Sequence, residues 1–376
     1  MKITRGYKTE LDLNDKQKTA CCKHAGAARF AFNWALAQKI AAYKAGQKVP
    51  TAIDLHKALN TLKQTELSWM YSVSKCAPQE ALRNVDKAYG NFFRKVKLKK
   101  QGTYKGKLGF PNFKKKSKGI GSFRLTGSIR VFSDAIQLPR LGKLRLKEPD
   151  YLPTSGVRIL SATVSEQAGH WFVSFQVEEE QEQRLTTATT AIGIDLGVTT
   201  LATCSDGVSF ENPRSLKHKL KKLKRLSRAH SRKQKGSKNR EKARKKVALL
   251  HARIANIRRD AVHKLTTQLC KNHAWVAIED LHVKGMLKNH HIAQAISDAS
   301  LGEIRRQLTY KAEKYGTRVA VIDRFFPSSK TCSICGWVNE HLDLSQRVFV
   351  CVDCGYFTDR DYNAAKNILA VSSTER

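Results

Sequence analysis

Four cysteines towards the carboxyl end of the chain constrain its fold more than any other feature. Cys332 and Cys335 form one C-x2-C pair, and Cys351 and Cys354 form a second pair after fifteen intervening residues. Each pair makes a turn that points both sulfurs at one centre, and tetrahedral Zn²⁺ accepts four thiolates arranged in this way. The spacing therefore predicts a compact metal-bound module.

A glycine follows each pair, at Gly336 and Gly355, where a tight knuckle requires a residue that tolerates positive φ. Four buried thiols or a redox pair are the alternatives to a metal site, and the doubled spacing favours zinc over both. A centre closed by four thiolates has no open position, so we predict one structural Zn²⁺ that takes no part in catalysis.

The charge of the chain limits the classes of partner that it can bind. Its 376 residues include 69 Lys and Arg against 32 Asp and Glu, a formal net charge of +37. Self-repulsion of this size opposes compaction unless a polyanion neutralises it, and the phosphates of nucleic acid are the favoured neutraliser. The alternatives are an anionic membrane surface, for which a strong amphipathic anchor is missing, and structural RNA binding of the ribosomal kind. With 41% hydrophobic residues, the chain is not wholly disordered.

The most apolar helical stretch, residues 27–42, is too short and too polar for a membrane span. Arg29, Asn33, Gln38 and Lys39 interrupt it. The charged start of the chain lacks the apolar core of a signal peptide. We therefore expect no membrane partner and a cytoplasmic protein, associated with the nucleoid when bound to DNA.

Hydrophobic patterning separates a first half from an α/β second half. The first half is predicted to contain a short strand at 3–7, helices over 14–95, a basic loop at 94–118, six strands between 122 and 177, and an acidic turn-like linker at 178–184. The second half is predicted to contain strands at 188–195, 199–204, 273–279 and 318–323, a hairpin after the second of these, and helices around 250–269, 296–315 and 362–369.

Three separated carboxylates are candidate metal ligands. Asp195 and Glu279 each end an apolar strand, and Asp361 precedes a helix of small residues. Burying such a carboxylate without a cation costs several kcal/mol. Three of them together would hold two Mg²⁺ ions about 3.5–4 Å apart, which suits in-line attack on a phosphodiester. The alternative for any one acid is a helix cap or an ion pair, but the three on a strand–hairpin–strand–helix frame favour the metal site.

Two basic segments are candidate nucleic-acid contacts. Residues 94–118 carry eleven Lys and Arg and no acid, interleaved with three aromatic rings, which suits single strands or a duplex edge. Residues 214–246 carry seventeen Lys and Arg with Glu241 as the only acid. This second segment is expected to be too charged to form a packed helix by itself. It would line a nucleic-acid channel, with a solvated face or flexible arm as the alternative.

Several motifs together resemble the TnpB family, transposon-encoded RNA-guided nucleases that are similar to the miniature type V CRISPR effectors. In the second half they are Gly193-Ile194-Asp195-Leu196-Gly197, Ile278-Glu279-Asp280-Leu281, Phe326-Pro327-Ser328-Ser329-Lys330-Thr331-Cys332-Ser333-Ile334-Cys335-Gly336 and Asp359-Arg360-Asp361-Tyr362-Asn363-Ala364-Ala365. In the first half they are residues 79–84, 91–93 and 109–114. The resemblance covers nearly the whole chain.

The resemblance implies a multidomain protein with α+β and α/β parts. A wedge domain with a β-barrel fold is expected at 1–10 and 119–182, and a helical recognition domain that includes the basic loop at 11–118. An RNase H-like RuvC nuclease domain is expected at 183–328 and 356–376. A zinc-finger insertion at 329–355 interrupts the nuclease domain.

The same resemblance implies an activity and its partners. Asp195, Glu279 and Asp361 fall on the family's catalytic acids, and the four cysteines fall on its zinc finger. The implied enzyme is an RNA-guided DNA endonuclease with two Mg²⁺ (or Mn²⁺) ions, acting as a monomer with a guide RNA from the transposon end. It would cleave double-stranded DNA beside a short target-adjacent motif and leave 5′-phosphate ends. Lys75 and Gln79 resemble the motif-reading region, with a solvated helix start as the alternative.

Two rival functions are considered. A guided repressor would bind DNA in an RNA-dependent way without Mg²⁺-dependent cleavage, and the three intact acids argue against it. A transposase that acts directly on transposon ends would join DNA without requiring RNA.

Overall fold

The computed structural model describes residues 2–180, 188–343 and 345–374, and the chain divides into two compact units, Met1–Gln181 and Glu182–Arg376. Each unit has its own hydrophobic core. Within the described part of the chain, no helix has both the length and the apolar character that a membrane crossing needs.

The first unit contains a seven-stranded antiparallel sheet. Its strands are β1 (Lys2–Asp12), β2 (Ser122–Leu125), β3 (Arg130–Val131), β4 (Ala135–Leu138), β5 (Gly142–Leu146), β6 (Val157–Gln167) and β7 (His170–Glu180). They lie in the order β2-β6-β7-β1-β5-β4-β3. All six strands predicted between residues 122 and 177 are present. β2 and β3 lie at opposite ends of this order, and closure of the sheet into a wedge barrel stays a prediction.

Strand β1 is eleven residues long, so the prediction of a short strand at 3–7 was wrong. Less exposed side chains alternate with more exposed ones along β1 as far as the buried Leu11. The charged residues Lys8 and Glu10 make this alternation hard to recognise in the sequence. β1 pairs with β7 along nearly its whole length, as far as Glu178–Glu180. Those three acids therefore belong to a strand and not to a turn, while residues 181–187 lie outside the described part of the chain.

Three helices lie in the region predicted to be helical over 14–95, as expected. They are α1 (Asp15–Lys44), α2 (Ala52–Gln64) and α3 (Cys76–Lys100). Capping boxes start α1 and α2, because the side chains of Asn14 and Thr51 accept hydrogen bonds from backbone N–H groups in the first turn. Pro78 lies in the first turn of α3, where its missing N–H has no helical acceptor.

The basic loop is shorter than predicted. Residues 94–100 belong to α3, because Lys and Arg are good helix formers and cations are favourable in a last turn. Aromatic packing also supports this end of the helix, since the rings of Phe92 and Phe110 meet edge to face with centroids 5.3 Å apart. The loop proper therefore covers residues 101–115, before a short 3₁₀ turn at Lys116–Lys118.

The second unit contains a five-stranded mixed sheet. Its strands are β8 (Ala191–Asp195), β9 (Thr200–Cys204), β10 (Ser209–Glu211), β11 (Trp275–Glu279) and β12 (Arg318–Ile322). They lie in the order β10-β9-β8-β11-β12. β8, β11 and β12 are parallel to one another, and β9 is antiparallel to both of its neighbours, β8 and β10. Each predicted strand of this half is present within a few residues of its expected bounds. A separate pair, β13 (Val348–Val350) and β14 (Phe357–Asp359), lies in the cysteine module.

Six helices complete the described part of the second unit. They are α4 (Ser215–Ser231), α5 (Lys238–Asn272), α6 (Val283–Met286), α7 (Ala293–Ala299), α8 (Leu301–Tyr315) and α9 (Arg360–Thr374). The single helix predicted over 296–315 is broken at Ser300, which has the left-handed φ of 58°. Most of the basic segment 214–246 is helical, forming α4 and the start of α5 on either side of a turn at 232–237, so the expectation that it could not form a packed helix was wrong. Leu216, Leu220 and Leu223 supply a half-buried stripe among its cations.

Candidate active site and metal centre

Two of the three candidate acids end neighbouring parallel strands. Ile194 of β8 lies opposite Ile278 of β11, and Asp195 and Glu279 follow them directly. Neighbouring strands lie about 4.8 Å apart, and side chains at matching positions leave the same face of the sheet. The buried isoleucines before each acid fix the strands, so the two carboxylates are delivered to one edge on one face.

The third acid comes from the first turn of α9. The carboxylate of Asp359 caps this helix by accepting hydrogen bonds from the N–H groups of Asp361 and Tyr362, both at 2.9 Å. Helix α9 packs on β8 at Gly193, where an added Cβ would lie 2.2 Å from the carbonyl oxygen of Ala365. Gly193 and Asp195 are two residues apart and share a face of the strand, so Asp195 faces the helix that carries Asp361.

The electrostatics of Asp195 reflect this convergence. Burial, followed by the nearby charges of Glu279 and Asp361, raises the pKa of Asp195 to about 8. Within residues 2–180, 188–343 and 345–374, no carboxylate–cation pair involves Asp195 or Glu279. A carboxylate that is buried beside other acids is suited to bind a divalent cation. The added positive charge would offset both the cost of burying the carboxylate and the repulsion between the acids.

The other two acids already have partners. The hydroxyl of Ser328 donates a hydrogen bond to Oε1 of Glu279 at 2.5 Å. Oδ1 of Asp361 accepts from Nε and Nη2 of Arg360 at 3.1 and 2.9 Å, and Oδ2 lies 3.9 Å from Nη1 of Arg347. The three acids are thus brought within electrostatic reach of one another, but one of them is engaged by an arginine.

Asp298, a buried acid outside this set, illustrates a purely structural role. Its carboxylate accepts hydrogen bonds from the N–H groups of Leu216 and Lys217 at the start of α4 and from Nε of Arg258. Burial raises its pKa, but these donors outweigh burial and hold the pKa of Asp298 below its ordinary value. The pKa of Asp195 shifts in the opposite direction, because burial and neighbouring acids there outweigh the nearby cation, Arg360.

The four cysteines form one cluster, in which all Sγ atoms lie within 4.8 Å of one another. Sγ of Cys332 lies 3.7 Å from that of Cys354, and Sγ of Cys335 lies 3.5 Å from that of Cys351. A tetrahedron with Zn–S bonds of about 2.3 Å has edges of about 3.8 Å. The cluster could therefore hold a zinc ion, and in the described part of the chain it is the only group of ligand atoms this compact.

The two knuckles have the same backbone geometry. The N–H of Gly336 donates to the carbonyl of Cys332, and the N–H of Gly355 donates to that of Cys351, each at 3.0 Å. Both glycines have positive φ, 79° and 72°. The predicted need for positive φ after each cysteine pair is confirmed.

Three family profiles match parts of the chain. The family profile described as "Probable transposase" matches residues 174–290, "Cas12f1-like, TNB domain" matches 302–368, and "Helix-turn-helix domain" matches 1–48. A protein of Streptomyces pristinaespiralis, provisionally named an RNA-guided DNA endonuclease, is 38% identical over 98% of this chain and 89% of its own length. InsQ of Escherichia coli K12, with the same provisional name, is 35% identical over 98% of this chain and 92% of its own.

The chain belongs to the TnpB family. By class it is thus an RNA-guided DNA endonuclease, as its sequence motifs predicted. A solved Cas12f1–sgRNA–target DNA complex aligns with 98% of this chain and 99% of its own at 16% identity and a TM-score of 0.37, a likeness too weak to define the fold.

In this TnpB-family chain, the asparagines of α9 form a clamp that sequence reasoning missed. The amide nitrogens of Asn363 and Asn367 both donate to the carbonyl of Thr331 at 2.6 Å, and Asn367 also donates to the carbonyl of Ser328 at 2.8 Å. Both asparagines are buried. The clamp fixes the segment that carries Ser328, the hydrogen-bond partner of Glu279. The sequence feature that could have predicted this clamp is a pair of asparagines four residues apart on a helix face that otherwise carries small, apolar residues.

Lys75 and Gln79 lie in the first unit, at the start of α3. They are one helical turn apart, and the N–H of Gln79 donates to the carbonyl of Lys75 at 3.3 Å. Lys75 is exposed and Gln79 is half-buried. Beside them, buried His24 accepts a hydrogen bond at Nε2 from the N–H of Ser74, which fixes the entry to the helix.

Proposed function

We propose that this protein is a transposon-encoded, RNA-guided endonuclease that cleaves double-stranded DNA next to a short target-adjacent motif. The observation that carries the proposal is that Asp195 and Glu279 end neighbouring strands and that burial, with the charges of Glu279 and Asp361, raises the pKa of Asp195 to about 8. A cluster of carboxylates without enough cations is suited to divalent metals, which phosphodiester hydrolysis uses.

Asp195 and Asp361 would hold two Mg²⁺ ions between them, and Glu279 would complete the site. When bound, the ions supply activation of water and stabilisation of the leaving 3′ oxygen, which leaves 5′-phosphate ends. Ser328 orients Glu279 by its hydrogen bond, and α9 brings Asp361 against β8. Mn²⁺ would substitute for Mg²⁺, because carboxylate oxygens suit both ions. The RNase H-like topology expected of the nuclease domain is supported by the mixed order β10-β9-β8-β11-β12.

The four cysteines would hold one structural Zn²⁺. The sulfur-to-sulfur distances of 3.5 and 3.7 Å and the matched knuckles support this assignment. A Cys₄ centre is closed to substrate, so its contribution is to the folding of the module at 329–355.

Sequence specificity would come from pairing between target DNA and a guide RNA derived from the transposon end. In such effectors the protein reads only the short adjacent motif and the shape of the heteroduplex. Lys75 and Gln79 would read that motif, since Gln contacts adenine and Lys contacts guanine or phosphate. The net charge of +37 supports binding of both nucleic acids, which a single copy of the chain would do.

The first prediction is that Asp195→Ala abolishes DNA cleavage. The protein is purified with its bound RNA, the RNA is sequenced, and cleavage of a matched duplex is measured with Mg²⁺ and with EDTA. We expect a loss of roughly a thousandfold or more, as for other groups that act as a unit, with RNA and DNA binding near normal. Asp260→Ala is the matched control, because Asp260 is exposed and pairs only across one turn with Lys264.

Each rival function predicts a different result in this assay. A guided repressor binds the matched duplex and leaves it intact with Mg²⁺. A transposase joins DNA ends without RNA. Cutting retained by Asp195→Ala would contradict the assignment of the acids.

A further inference from the structure

Arg360 lies at a position where its own helix gains nothing from a cation. It is the first residue of α9, and the amino end of a helix carries partial positive charge that favours acids over bases. Adjacent residues on a helix also do not face each other. Even so, both Nε and Nη2 of Arg360 turn back to Oδ1 of Asp361, at 3.1 and 2.9 Å. The contact therefore serves the acids and not the helix.

This arginine is built into the site. Its side chain is only 12% exposed, against 55% for Arg347, whose Nη1 lies 3.9 Å from the other oxygen of Asp361. The N–H of Arg360 donates to the carbonyl of Arg347 at 2.8 Å, which holds the backbone in place. The positive charge of Arg360 also reaches Asp195, whose pKa it lowers against the opposing effect of the acids.

Arg360 occupies one oxygen of Asp361 with two hydrogen bonds. Mg²⁺ binds carboxylate oxygens at about 2.0–2.1 Å and demands a regular octahedral shell. A divalent ion that bound Oδ1 would have to displace the guanidinium, and one that bound Oδ2 would lie next to its positive charge. In either position the ion competes with Arg360 for Asp361.

We propose that Arg360 is a displaceable counter-ion of the acid site, which pairs with Asp361 and competes with a divalent metal for it. This inference rests on the proposed function, because it needs the acids to bind metal. Arg360 would offset part of the negative charge of Asp361 and Asp195, and it would weaken metal binding because its positive charge repels the ion. Its role is to position Asp361 and to set metal affinity.

The test compares Arg360→Gln with wild type as purified protein–RNA complexes, by calorimetric titration with Mn²⁺. The same RNA bound to Asp195→Ala gives the background, so that only binding at the acid site is counted. We expect Arg360→Gln to bind Mn²⁺ roughly tenfold more tightly, the change that corresponds to one charged hydrogen-bonded pair. We also expect a lower melting temperature in EDTA that added Mn²⁺ restores.

Two further variants make the result specific. Arg360→Lys keeps the charge and should bind Mn²⁺ within a few fold of wild type. Arg347→Gln removes a more distant, exposed cation and should change the affinity little. Unchanged or weaker Mn²⁺ binding by Arg360→Gln would overturn the counter-ion role while leaving the metal site intact. A wild-type complex that binds no more Mn²⁺ than Asp195→Ala would overturn both the metal site and this role.

Discussion

At Gly193 the backbone of α9 lies against the sheet so closely that no side chain fits. An added Cβ would meet the carbonyl oxygen of Ala365 at 2.2 Å and the backbone nitrogen of Leu369 at 2.7 Å. These are backbone atoms and cannot rotate away. The single hydrogen of Gly193 thus decides how close Asp361 can come to Asp195.

We predict that Gly193→Ala destabilises the second unit by about 3 kcal/mol, the upper part of the range for overpacking, and reduces cleavage by moving Asp361. Calorimetric unfolding of the full chain measures the first effect. Gly302→Ala is the control in the same unit, because its added Cβ would be 3.9 Å from the nearest atom, Cγ1 of Val283. In a helix that change should be neutral or stabilising by up to about 1 kcal/mol. Equal effects of both substitutions would contradict the packing argument.

The positions of the candidate acids could be read from the sequence, but their partners could not. Asp195 and Glu279 follow short apolar runs, and this local pattern predicts a strand end without any knowledge of the fold. Ser328 meets Glu279 across 49 residues of sequence, and Asn367 meets Thr331 across 36. Such contacts depend on tertiary packing and leave no periodicity. Arg360 lies within a motif of the family, yet the contact of its side chain with Asp361 depends on a rotamer that the local sequence does not determine.

Between elements, the contact of α5 with α8 contains a buried lysine. Nζ of Lys311 donates to the carbonyl of His263 at 3.0 Å and to the hydroxyls of Thr266 and Thr267 at 2.7 Å. These acceptors are uncharged, and burial holds the pKa of Lys311 at about 8, below its ordinary value of 10.5. Keeping Lys311 charged therefore costs stability at neutral pH.

We predict that the second unit becomes more stable as pH rises from about 8 to 10.5. The unfolded chain binds more protons than the folded chain in that window, so the free energy of unfolding gains at most roughly 1.4 kcal/mol per pH unit from this group. Lys311→Met should raise the melting temperature at pH 7 and remove this rise. Lys314→Met, at an exposed position of the same helix, is the control. A rise with pH that survives in Lys311→Met would refute the assignment.

The basic hairpin formed by α4 and the start of α5 shows where sequence reasoning failed at this scale. Seventeen cations in residues 214–246 suggested that repulsion would prevent a packed helix. Three leucines at helical spacing were enough to bury one stripe, and Asp298, distant in sequence, caps the start of α4. Local charge density is a poor guide when the neutralising acid comes from elsewhere in the fold.

For the whole molecule, the net charge of +37 has to be reconciled with a folded chain. All 32 acids are already counted in that figure, so the 69 Lys and Arg exceed the acids by 37. This excess of cations is available to phosphates wherever the side chains are exposed. The salt dependence of RNA and DNA binding then measures how many of these cations bind phosphate. The position of a lysine therefore affects this salt dependence more than the total charge of the chain does.

The last prediction separates local phosphate binding from total charge. Four exposed lysines of α4 are changed together to glutamine, namely Lys217, Lys221, Lys222 and Lys224. If α4 binds duplex phosphates, the slope of log affinity for guide-matched DNA against log salt becomes shallower by about 0.9 for each phosphate that is no longer neutralised. A control complex carries the same number of changes at exposed lysines of the first unit, namely Lys16, Lys44, Lys48 and Lys57. Both complexes lose four charges, so equal slopes would mean that only net charge matters, whereas a shallower slope confined to the α4 variant identifies that helix as a phosphate-binding surface.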